Sequence, residues 1–187
     1  MSRLAFRVIA FTGVIALLGV GSYAIAGGGS KNFKHIQLTG YEENPDLSTT
    51  GTGTFEARLA DDGNSLHYKL SYSGLEGTVT QSHVHFGKRA INAGISFWLC
   101  ETATNASPSA STPTCPAPGG TVEGDITSAE VIGPAAQGIE PMNFAEILAA
   151  MRAGHAYVNV HSSKYPGGEI RAQIKKSRGD HGGRGKG

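Results

Sequence analysis

Residues 54–72, TFEARLADDGNSLHYKLSY, decide the class of fold. Phe55, Ala57 and Leu59 alternate with Thr54, Glu56 and Arg58. After them Leu66, Tyr68, Leu70 and Tyr72 alternate with His67, Lys69 and Ser71. A period of two places the apolar residues of each run on one face of an extended strand. Between the runs stands Asp61-Asp62-Gly63-Asn64, whose side chains and glycine suit a tight turn. The stretch is predicted to be a β-hairpin with one buried face.

Working outward, similar short apolar runs bounded by Gly, Pro, Asn and Asp predict strands over 33–39, 78–86, 95–99, 121–126, 156–161 and 168–174. With the hairpin this makes eight. Short strands at this spacing predict an all-β domain, an antiparallel Greek-key β-sandwich of about eight strands. One segment has another period. Asn143 caps a run in which Phe144, Ile147, Leu148 and Met151 recur at helical intervals, Glu146 stands at capping-box spacing, and Gly154 supplies a stop. A crossover helix of about ten residues is expected there.

The two ends read differently from the body. Arg3 and Arg7 precede an apolar run over 8–20, and Ala24-Ile25-Ala26 offers small residues for cleavage. The run suits a secretory signal peptide over 1–26 and is shorter than the ~20 residues that span a bilayer. The expectation is a secreted or periplasmic protein with no stable membrane span after cleavage. Residues 27–32 read as a flexible lead and 33–174 as the domain. Residues 175–187 read as a disordered basic, Gly-rich tail. The chain's net charge is +1, but the basic residues of the two ends leave 27–174 at −5. An acidic body argues against nucleic acid as a partner.

Cys100 and Cys115 are the only cysteines. In an exported chain an isolated pair is expected to form a disulfide, here closing a Ser/Thr/Pro-rich loop, with about 3 kcal/mol of stabilisation in the chain-entropy account. A chain of this size buries roughly 70% of its unfolded surface, so its core needs no metal.

The chemically suggestive residues are His83 and His85 in QSHVHFG, and His161 in AYVNVHSSKYPGGEIR. Residues two apart on a strand share a face, with backbones about 6.6 Å apart, close enough for both imidazoles to reach one metal ion at about 2.0–2.1 Å. Parity sets His83 and His85 opposite Val84 and Phe86, and sets Tyr157, Asn159 and His161 opposite Val158 and Val160. Both histidine groups are therefore expected on polar strand faces. They serve there as metal ligands, as ordinary surface histidines, or as anchors for loop backbone. Whether His161 meets the pair depends on strand order, which the sequence does not give. Glu169 and Arg171 share a face of the last run. Glu169 is expected either to complete the histidine set or, with more weight, to form a structural ion pair with Arg171 or a neighbour on an edge strand. Glu42-Glu43 and Asp61-Asp62 read as solvated turn carboxylates. No Gly-x-Ser-x-Gly elbow, P-loop or dinucleotide fingerprint is present.

These motifs, LTGYEENP near the start, LHYKLSYSGLEGTVTQSHVHFG in the middle and AGHAYVNVHSSKYPGGEIRAQI at the end, resemble the CHRD (chordin-domain) family over nearly all of 33–174. Asn44-Pro45, Ala172 and the Cys100–Cys115 insertion depart from the family's usual pattern. The resemblance implies a β-sandwich and a non-enzymatic binding or scaffold role in the cell envelope, with an envelope or extracellular protein or polymer as partner. A fainter similarity to copper-zinc superoxide dismutase lies in the order of His83, His85, His161 and Arg171. That similarity implies a mononuclear copper or zinc site on the three histidines, with Arg171 drawing anions. The loop KRAINAG after HVHFG lacks the ligands for a second metal, so dismutase activity is not expected.

Overall fold

The structure, a computed structural model, describes residues 31–175. The signal peptide assigned to 1–26 and the tail beyond Lys175 lie outside the described residues. Eight strands form: β1 (Asn32–Thr39), β2 (Thr52–Leu59), β3 (Leu66–Ser73), β4 (Val79–Phe86), β5 (Ile95–Cys100), β6 (Gly120–Ile126), β7 (Ala156–Ser162) and β8 (Ile170–Gln173). The expected lead over 27–32 ends inside β1. The hairpin is present in the expected register, with Phe55 opposite Leu70 and Leu59 opposite Leu66.

The strands belong to one sheet in the order β5-β4-β7-β8-β1-β2-β3-β6, and every pairing between them is antiparallel. The all-β expectation holds, with one refinement. The layers are not two sheets but two halves of a single sheet that curls until its edges, β5 and β6, meet. Tyr68 on β3 reaches across that seam and donates its hydroxyl to the Leu99 carbonyl on β5. Nearby, Cys100 and Cys115 form the expected disulfide.

Alternation fills the interior. Phe33, Phe55, Leu66, Leu70, Val84, Phe97, Leu99, Val158, Val160 and Ile170 are all inaccessible to solvent. The helix α1 (Phe144–Ala153) crosses before β7, and the Asn143 side chain accepts from the Glu146 N–H. Its Phe144, Ile147, Leu148 and Met151 enter the core, and Gly154 closes it in the left-handed conformation, φ 76°, that favours glycine. Burying such aliphatic side chains contributes about 1.5–3 kcal/mol each before entropy is counted.

β8 is not an edge strand. It lies between β7 and β1, and this location determines what Glu169 and Arg171 do.

Candidate metal centre

β4 and β7 are neighbours, so the topology supplies the proximity that sequence left open. Across β5-β4-β7-β8 the cross-strand partners run Trp98–His83–Asn159–Arg171 in one row and Ile95–His85–Tyr157–Gln173 in the next. His161 pairs with Gln81 one step along. The three histidines converge, and one ligand nitrogen from each lies within 4.8 Å of the other two. His83 Nδ1 and His161 Nε2 are 3.2 Å apart. Two nitrogens held at about 2.0–2.1 Å around a tetrahedral ion stand about 3.3 Å apart, so this spacing suits a shared metal.

The expected polar face is not a solvent face. His83 is 1% exposed, and His85 and His161 are 6% exposed. The roof comes from the loops at 40–47 and 87–94, joined to each other by Arg89 to Glu42 at 2.7 Å and by Asn92 Nδ2 to the Asn44 carbonyl. Rings complete the enclosure. Trp98 packs edge-on against His83 with centroids 4.3 Å apart, and Tyr157 stacks on His85 at 4.6 Å, nearly parallel.

Backbone carbonyls fix two of the rings. His85 Nδ1 donates to Ala93 O and His161 Nδ1 donates to Pro166 O, each at 2.9 Å. A neutral imidazole with its Nδ1–H so engaged presents the Nε2 lone pair. Both Nε2 atoms lie 3.1 Å from Asn159 Oδ1, itself an acceptor. His83 Nδ1–H is the proton available to this group, and its own Nε2 is buried without a partner. Three imidazole nitrogens thus converge in a closed space.

Protonating the rings does not relieve this arrangement. Burial, with the other two histidines adding to it, pushes His83 down to about 2. Burial brings His85 down to about 4, against the pull of Ala93 O and Asn159. His161 is lowered by burial as well, opposed by Pro166 O. All three rings are neutral near pH 7, the form that binds metal.

Glu169 and Arg171 do not join the centre. Glu169 is fully buried, its Oε1 accepts from Thr49 Oγ1 at 2.7 Å and from the Glu76 N–H at 2.6 Å, and among the described residues it belongs neither to the converging ligand cluster nor to an ion pair with Arg171. From just ahead of β8 its carboxylate ties the 47–51 and 74–77 turns. Arg171, 2% exposed, stacks on Tyr157 with its guanidinium carbon 3.4 Å from the ring centroid and donates to Lys88 O and Ile91 O. It holds the roof loop and is not open to draw anions.

Two residues that carry the site were not singled out by sequence. Asn159 bridges His85 and His161. Glu43, read there as a solvated turn carboxylate, is 5% exposed. Burial raises it to about 7 against the pull of Arg171. Its neighbour Glu42 is the member of the pair that faces solvent and binds Arg89. The available signal was the position of Glu43 inside the LTGYEENP motif.

Fold and site together define a curled all-β domain with a buried tri-histidine cluster on the outer face of its sheet. Residues 35–174 match the CHRD domain, and the chain belongs to that family. The CHRD domain is typical of extracellular and secreted proteins. No characterised protein and no solved structure matches the chain at a significant level. Among the described residues no helix is long and apolar enough to cross a membrane.

Proposed function

We propose that this is an exported binding protein of the cell envelope, without catalytic activity, whose ligand is a single copper or zinc ion held by His83, His85 and His161. The observation that carries the reading is the convergence of three buried imidazoles, one ligand nitrogen of each within 4.8 Å of the other two. The Nε2 atoms of His85 and His161 and the Asn159 oxygen face one another, with His83 Nδ1–H as their shared proton. A cation among them supplies the missing partner. Neutral imidazoles held by backbone carbonyls suit zinc and copper, whereas calcium and magnesium prefer oxygen. When bound, the ion would supply a Lewis acid or, for copper, a redox centre. The chain's own contribution is to orient the rings, keep them unprotonated and exclude bulk water.

Export is supported by the N-terminal segment, by a disulfide that needs an oxidising compartment, and by the family's usual location. A protein or polymer of the envelope is the partner class left for the domain's outer surface, since the acidic body disfavours nucleic acid. The metal reading is tested by calorimetric titration of the purified protein with zinc(II) or copper(II). One site per chain is expected, lost in both His83→Ala and His161→Ala. Undiminished binding in either variant would overturn the shared site.

A further inference from the structure

A centre this enclosed needs a route for its ion, and the surface offers a cleft of about 250 Å³ beside it. Glu43, Pro45, Asn92, Lys164, Pro166 and Gly168 are among its lining. Three of its other polar side chains are engaged elsewhere: Lys164 and Tyr165 with Glu76, and Asn92 with the Asn44 carbonyl. Glu43 Oε1 is different. The residue lines this cleft, and the atom is buried behind it with no hydrogen-bond partner among the described residues. The nearby charge of Arg171 is directed at the roof-loop carbonyls.

Inward of Glu43 its carboxylate and the Asn159 amide both pack against a bare glycine. A Cβ on Gly168, whose φ is 128°, would stand 2.4 Å from Glu43 Oε1 and 2.8 Å from Asn159 Nδ2. The bare glycine therefore separates the carboxylate from the amide whose oxygen touches His85 and His161. Pro166, on the rim, supplies the carbonyl that fixes His161. Cleft, carboxylate, glycine, amide and imidazoles follow one another in space.

We infer that Glu43 is the capture point for the cation on its way to the three histidines, and that this cleft is the route of uptake. The inference rests on the metal-binding reading above. Glu43 belongs to the approach and not to the resting set, because among the described residues the cluster of converging ligand atoms comprises the histidines alone. A group that stabilises the ion in transit lowers the barrier in both directions and leaves the bound state unchanged.

Trp98 is the only tryptophan and its ring packs on His83, so copper(II) at the centre should quench its fluorescence. Stopped-flow mixing of the purified protein with copper(II), followed by release to a chelator, gives both rates. In Glu43→Gln, which keeps the side chain's size, uptake and release are expected to slow together by about tenfold, with final amplitude and affinity retained. Glu43→Asp, which keeps the charge, should recover most of the rate. Unchanged uptake in Glu43→Gln overturns the inference, and so does faster release alone, which would make Glu43 a ligand. If wild type shows neither quenching nor binding, it is the metal reading itself that falls.

Discussion

Strands β3 and β7 follow the same rule and meet different fates. In LHYKLSYS and AYVNVHS apolar and polar residues alternate, and in both the apolar set faces the core. On β3 the outward residues reach water: His67 pairs with Asp125, and Lys69 with Glu123, all four more than two-fifths exposed. On β7 every residue is buried, and the outward set is Tyr157, Asn159 and His161. The sheet is the same. What differs is the roof of loops over β4, β7 and β8. Alternation therefore assigns a side chain to a face but does not say whether that face is wet. Water over β3 makes charge cheap to place. The roof over β7 makes it costly, keeps imidazoles neutral and leaves polar atoms without partners, a pattern native proteins reserve for sites of function.

The largest contrast should be in metal affinity. His161→Ala on β7 should weaken zinc or copper binding more than 100-fold, while His67→Ala on β3 leaves it unchanged, by calorimetry. Equal effects would erase the distinction between the faces.

A smaller contrast should appear in stability. Arg171→Met removes the donor for Lys88 O and Ile91 O beneath the roof, and a loss of about 2–4 kcal/mol is expected in denaturant unfolding. Lys69→Met, on the exposed face, should not shift the midpoint measurably.

Acid should expose the same layer more gradually. The metal-free histidines titrate near 6.5 when unfolded, and His85 near 4 and His83 near 2 when folded. Between those values the unfolded chain binds more protons, so stability falls as pH drops below 6.5, by roughly 2–3 kcal/mol for His85 alone. Glu43 works the other way. Its folded value near 7 exceeds its ordinary value of 4.5, so it favours the folded state as pH falls through that window. The histidines outnumber it, and the net trend should be loss of stability. Urea midpoints at pH 7 and pH 5 measure it, and bound zinc should steepen the dependence.

Much of this was legible because it is local. The eight strands, the turn at 61–64, the Asn143 cap and the Gly154 stop depend on neighbours in sequence. The disulfide followed from there being only two cysteines. The three histidines could be named from HVH and a third on a polar face. What could not be read is non-local. The neighbour relation of β4 and β7 joins residues some 77 apart, as in His83 with Asn159 and Ser82 with the Asn159 carbonyl. The internal place of β8 turned an expected edge pair, Glu169 and Arg171, into two separate ties. Glu43 looked like Glu42 because nothing in a dipeptide tells which carboxylate the roof will cover.

The most direct measurement is elemental analysis of the protein purified from its own source, without added metal, alongside its His161→Ala variant. The account predicts one copper or zinc ion per wild-type chain and none in the variant. Wild-type protein free of transition metal, or a variant that retains it, would contradict the three-histidine centre.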